Sequence, residues 1–128
     1  MKNSYTIREL ASDFGVTTRT IRFYEEKGLL RPQRHGQHRL YSAADRTKLR
    51  LILRGKRFGF SLDESAEIIL MYGSPGNNRK QLQTLLEKIN IKRRELKERR
   101  RELNAMLREM DQAEKKCATA LAELETKA

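Results

Sequence analysis

A mostly α-helical fold with a small β-hairpin and a long C-terminal helix is predicted by three observations. Hydroxyl-capped helix starts recur along the first half of the chain. A stretch holding Pro32 and Gly36 interrupts them, and from Leu82 to Leu124 an apolar or sulfur-bearing residue returns at every seventh position.

The helix starts share one device: a Ser or Thr accepts from the first amides, and an acid three residues on reaches back to the cap. The pairs are Thr6 with Glu9, Ser42 with Asp45, and Ser61 with Glu64. After Thr6, the residues Ile7, Leu10, Ala11 and Phe14 paint one helical face, and Gly15 supplies a tight turn. Thr17 caps the second helix, with Val16 and Ile21 as a hydrophobic staple around it, and that helix runs to Lys27 and stops at Gly28. Pro32 and Gly36 then bracket two short runs, Leu29–Leu30 and Arg39–Tyr41, which read as the arms of a hairpin, a wing. A helix from Ser42 to about Phe58 turns Leu49, Ile52 and Leu53 inward, and the next, from Leu62 to about Tyr72, turns Leu62, Ala66 and Ile69 inward. The run Gly73-Ser74-Pro75-Gly76 breaks the pattern.

Beyond Gly76 there is no further proline or glycine, and the column Leu82, Ile89, Leu96, Leu103, Met110, Cys117 and Leu124 is a coiled-coil seam. The positions four residues after these are mixed, with Leu86 and Leu107 apolar but Arg93 and Arg100 charged. The dimerisation set is therefore Leu82, Leu86, Ile89, Leu96, Leu103, Leu107 and Met110. The domains predicted are 1–73 for the globular part, 74–78 for a linker and 79–128 for the pairing helix and tail.

Charge narrows the function. Lys and Arg number 28 against 17 acids, a formal net charge of +11 that favours a polyanionic partner. The longest strictly apolar run, Ile68 to Met71, is far below the roughly 18 residues of a membrane span. Met1 to Arg8 holds no apolar signal-peptide core, and the lone Cys117 forms no intrachain disulfide, so a cytoplasmic location with no membrane partner is expected. In the seam column, Cys117 reads as a buried structural thiol. No nucleophile, base and orienting group stand together and no phosphate-binding glycine loop occurs, so no enzyme and no cofactor are expected.

The first two helices have the spacing of a helix-turn-helix: Ala11 where the helices cross, Gly15 in the turn, Ile21 anchoring the second helix. Thr18, Arg19 and Arg22 then face outward at the N-terminal part of that helix, the part that reaches base edges in the major groove. The wing adds Arg34, His35, His38 and Arg39. The flanking arginines repel a divalent cation and no third ligand is near, so no metal site is expected there. Arg54, Lys56 and Arg57 form a second basic cluster suited to phosphate.

The run Thr20-Ile21-Arg22-Phe23-Tyr24-Glu25-Glu26-Lys27-Gly28-Leu29-Leu30 resembles the signature of MerR-type regulators, backed by Arg39-Leu40-Tyr41 and by Gly59-Phe60-Ser61-Leu62. The resemblance implies a winged helix-turn-helix DNA-binding domain and a long helix pairing as an antiparallel coiled coil. It implies a homodimer that grips a palindromic promoter element in double-stranded DNA, then bends and untwists it so that RNA polymerase can use the promoter. Carried over by position, Thr18, Arg19, Arg22 and Tyr24 touch DNA from the recognition helix, Arg39 and Tyr41 from the wing, and Arg54 and Lys56 hold phosphate. The multiple cysteines of the family's metal and redox branches are missing, and no large C-terminal ligand domain is expected. A narrower resemblance, carried by Leu53-Arg54-Gly55-Lys56-Arg57, Pro75-Gly76-Asn77 and the Cys117 tail, is to short regulators of branched-chain amino-acid and acyl-coenzyme A breakdown. It implies a small-molecule effector, an acyl-coenzyme A or related acid.

Two other classes share parts of this pattern. A DNA-bending, excisionase-like architectural factor has the winged fold but usually lacks the pairing helix. An RNA-binding coiled coil would use Lys92 to Arg101, where the interleaved Glu95, Glu98 and Glu102 offer pairing at helical spacing.

Overall fold

Capping sets where the helices begin. In the computed structural model, which describes residues 3–72 and 76–127, the hydroxyls of Thr6, Ser42 and Ser61 accept from the amides of Glu9, Asp45 and Glu64 at 3.1, 3.0 and 3.1 Å. Each acid accepts the cap amide in return. These boxes open α1 (Ile7–Phe14), α3 (Ala43–Phe58) and α4 (Leu62–Leu70). Thr17 opens α2 (Thr18–Glu26) by accepting from the amide of Thr20 at 3.1 Å. Gly15 closes α1 with φ of 64°, a left-handed conformation that costs glycine little and a side chain more.

Three short strands, β1 (Ser4–Thr6), β2 (Gln33–His35) and β3 (His38–Ser42), form an antiparallel sheet in the order β1-β3-β2. Tyr5 faces Tyr41 across one ladder, and Arg34 faces Arg39 across the other. The hairpin differs from its expected form. Leu29 and Leu30 do not pair as a strand but are buried in the core, 5% and 1% exposed, because two adjacent leucines after a helix gain more from burial than from an edge ladder. The first arm is instead the wholly exposed Gln33–His35. Strand β1 went unread because three residues are too few to show alternation.

The core joins Leu10, Ile21, Tyr24, Leu29, Leu30, Tyr41, Leu49, Ile52 and Ile69. Asp45, 3% exposed, closes its edge: one oxygen accepts from the amide of Arg31 and the other from that of Ser42, both at 3.2 Å. One carboxylate thus ties the loop after α2 to the start of α3. Gly55 lets α3 and α4 cross closely, since a Cβ there would lie 2.9 Å from Ser65 Oγ and 3.2 Å from Phe60 Cδ2.

The chain divides into two compact units, Met1–Lys88 and Ile89–Ala128. Helix α5 (Asn77–Thr126) contributes to both. Its first turns belong to the first unit: the buried Gln81 donates from Nε2 to the carbonyl of Ile68 at 2.8 Å, a second donor beside the Met71 amide at the end of α4. Lys88 pairs with Glu67 at 3.0 Å. The predicted break at Gly73, Ser74 and Pro75 lies outside the described residues. In the second unit α5 is one helix whose apolar side chains Leu96, Leu103, Leu107 and Met110 are exposed. Cys117 is exposed in the single chain as well, so its expected burial needs a partner to cover it. No helix among the described residues is long and apolar enough to cross a membrane.

Candidate nucleic-acid interface

The site is built on α2. Ile21, fully buried, and Tyr24, 4% exposed, fix one face of this helix in the core. The helical period therefore turns Arg19 and Arg22 out, where both are exposed, while Thr18 is half-buried. Thr17 Oγ1 also lies 3.0 Å from Thr20 Oγ1, which stiffens the first turn. Phe23 is 44% exposed on the outer side, with Lys27 Nζ 5.5 Å from its ring centre. The exposed ring suits apolar contact with a sugar or base, and Lys27 beside it supplies the charge for phosphate.

The wing is held to α2 by one carboxylate. Glu25, whose side chain is 11% exposed, lies 2.7 Å from Arg34 Nη2 and 2.8 Å from Arg39 Nε. The Arg34 contact is a hydrogen bond, whereas the Arg39 Nε contact is a close ion pair made off the N–H axis. Tyr41 donates its hydroxyl to the second Glu25 oxygen at 3.4 Å. Burial first, then the Glu25 charge, push the Tyr41 phenol up to about 12, with Arg39 opposing. Burial likewise raises the Tyr24 phenol.

These positions correct part of the expected contact set. Tyr41 is fully buried, so its ring belongs to the core and it acts by orienting Glu25. Tyr24 is also a core residue, with only a trace of surface left to touch a ligand. Arg39 is half-buried and already engaged by Glu25, which makes it part of the contact that holds the wing to the helix. Arg19, Arg22, Arg54 and Lys56 are exposed and available. Lys56 shares a crevice of about 250 Å³ with Phe23, Tyr24, Ile52, Phe60, Leu62 and Ser65, so the structure brings the end of α3 beside the recognition helix. His35 and His38 face each other across the hairpin. Among the described residues no group of three His, Cys, Asp or Glu side chains could hold a metal ion.

Glu25 was missed as a site residue. The signal was present, since Glu25 follows Ile21 by four residues and so shares its inward face, and an acid on that side needs a cation that the Arg-bearing wing supplies.

Comparison with known proteins agrees with this geometry. Residues 5–71 match the family model described as MerR HTH family regulatory protein, and residues 46–113 match that described as MerR, DNA binding. The HTH-type transcriptional regulator HmrR of Rhizobium leguminosarum bv. viciae is 38% identical over 106 residues, covering 79% of this chain and 82% of that protein. The mercuric resistance operon regulatory protein of Pseudomonas fluorescens is 47% identical over 66 residues, half of this chain and 46% of its own length. Among solved structures, MtaN, the N-terminus of the Bacillus subtilis multidrug transporter activator, superposes with a TM-score of 0.64 at 30% identity, covering 85% of this chain and 96% of that one. HiNmlR, a MerR family regulator lacking the sensor domain and bound to promoter DNA, gives 0.59 at 25% identity, covering 79% of each chain. Two family models that each span more than half of the sequence, on a fold whose second helix turns arginines outward, lead to one conclusion: the chain belongs to the MerR family of helix-turn-helix, DNA-binding transcriptional regulators.

Proposed function

We propose that this chain binds a palindromic promoter element as a homodimer and controls transcription by bending and untwisting the DNA between its half-sites. The observation that carries this reading is the outer face of α2, where Arg19 and Arg22 are exposed while Ile21 and Tyr24 lock the helix in place. Thr18, Arg19 and Arg22 read base edges, Arg54 and Lys56 hold phosphate, and Arg39 positions the wing. The dimer is supported by the exposed column of Leu82, Leu96, Leu103 and Met110, flanked by Leu86 and Leu107, because an apolar stripe of this length in water calls for a partner. Ile89 lies in the same column. We take residues 1–73 as the DNA-binding domain, 74–78 as the linker and 79–128 as the pairing element, with two such helices packed antiparallel.

The chain acts by binding rather than catalysis, works in the cytoplasm where its DNA lies, and presents the remodelled promoter to RNA polymerase. Its narrower kinship is to short regulators of branched-chain amino-acid and acyl-coenzyme A breakdown, with an acyl-coenzyme A or related acid as effector. Mapping the genomic fragments that the full chain protects tests the proposal. Protected palindromes lying between promoter elements support it, and protection without sequence preference or away from promoters contradicts it. Affinity for such a site should fall by about three to five decades between 50 and 200 mM salt if six to ten phosphates are contacted.

A further inference from the structure

We propose that the outer face of α5 around Lys97 is a second DNA-contact surface, which takes the phosphate backbone of duplex DNA without regard to sequence. At about 100° per residue, Arg93, Arg94, Lys97, Arg100 and Arg101 fall within one sector of about 120°. Lys97 has an arginine at every position three and four residues away in either direction, and all five side chains are exposed. The acids Glu95, Glu98 and Glu102 lie on the neighbouring flank and neutralise little of this patch. Arg101 reaches Glu98 at 3.4 Å, and Arg93 donates to Asn90 Oδ1 at 3.4 Å. Arg94, Lys97 and Arg100 have no ion-pair partner among the described residues. The pairing expected along this run is thus realised at its margins, by Arg101 with Glu98 and by Lys92 with Glu95 at 3.6 Å.

Like charges three and four residues apart repel along a helix, so this cluster works against the element that carries it unless an anion sits on it. The five cations span about 12 Å of helix, a length over which duplex DNA carries about seven phosphate charges. Four of the five are arginine, whose planar fork matches phosphate. The partner chemistry is already that of this family of DNA-binding regulators. Arg93 and Arg100 fall in the second seam column and border the pairing face, whereas Arg94, Lys97 and Arg101 lie away from the Leu96 and Leu103 column, so an anion on them leaves that column free to pair.

The test uses the full chain carrying Arg94→Gln, Lys97→Gln and Arg101→Gln together, and Lys97→Gln alone as the milder variant. Affinity for a random-sequence duplex and for a protected genomic duplex is measured across 50 to 200 mM salt, with sedimentation and helicity on the same samples. For each patch that engages, the triple variant should lower the salt slope by about 2 to 3 and the single variant by about 0.9, twice these where both protomers' patches touch the duplex, on both duplexes alike, so that their affinity ratio is kept. Arg22→Ala, run beside them, should change that ratio instead. An unchanged slope in a variant of normal helicity and oligomeric state overturns the proposal. So does unchanged DNA binding with lost output in reconstituted transcription, which assigns the patch to an acidic protein surface. Unchanged DNA binding with weakened coenzyme A binding overturns it in favour of a small phosphorylated ligand. Failure of the unaltered chain to bind any DNA would sink the proposed function as well, which separates the two.

Discussion

At the scale of single residues, Glu25 ties the wing to α2. Among the described residues it is the one ion-pair partner of both Arg34 and Arg39, and it accepts from Tyr41. The Arg34 side chain is 61% exposed, so that contact adds little, while Arg39 at 24% is screened less. Glu25→Gln should destabilise the domain by about 1 to 3 kcal/mol, measured by denaturant unfolding, because it leaves a half-buried guanidinium without its anion. Operator affinity should drop while base preference persists, since the wing loosens but Arg22 stays. Tyr41 supplies a pH test. Its folded pKa, pushed up to about 12, lies above the ordinary value of 10, so the native state keeps a proton that the unfolded chain has lost. That contribution is fully present below pH 10 and is lost as pH rises through 12, amounting to about 3 kcal/mol at most. Tyr41→Phe should flatten the fall in stability between pH 10 and 12, and an unaltered fall would contradict the assignment. The outward arginines of α2 were legible in the sequence because one buried isoleucine fixes the phase of a short helix. The tyrosines were not, because a side chain with an apolar ring and a polar tip suits core and surface alike.

At the scale of elements, the capping boxes made three helix starts readable to the residue, since each needs a hydroxyl and an acid at fixed spacing. The sheet was read less well, as its outer strands are three residues each and are held mainly by main-chain bonds that composition does not reveal. The α3–α4 crossing was invisible for another reason: Gly55 looks like a helix weakness until Ser65 and Phe60 are seen against it. Gly55→Ala should therefore destabilise by about 1 to 3 kcal/mol, although alanine favours helix by about 1 kcal/mol in isolation. Adding Ser65→Ala removes the nearest atom, Ser65 Oγ, and should recover part of the loss in thermal unfolding. Greater stability in the single variant would show that the helices cross with room to spare.

For the whole molecule, the seven-residue column predicted the long helix, yet the extent to which its first turns pack on α4 was not legible, because Gln81 and Lys88 read as ordinary surface residues until Ile68 and Glu67 are placed beside them. The dimer gives its own test in Leu96→Asp, which sets a charge in the exposed apolar column. The variant should sediment as a monomer or weakened dimer with a folded N-terminal domain, and lose operator affinity far more than nonspecific binding, because desolvating a carboxylate in an apolar seam costs more than pairing with Arg93 or Arg100 one turn away returns. A tight dimer with full affinity would remove α5 from the pairing role. The most direct test of the central claim, that paired α2 helices read a palindrome, is a titration of Arg22→Ala against duplexes altered one base pair at a time. Discrimination should relax by about 1 to 3 kcal/mol at one position in each half-site, the two related by the dyad of the operator. Equal weakening on every duplex, or relaxation at a single unrepeated position, would contradict the account.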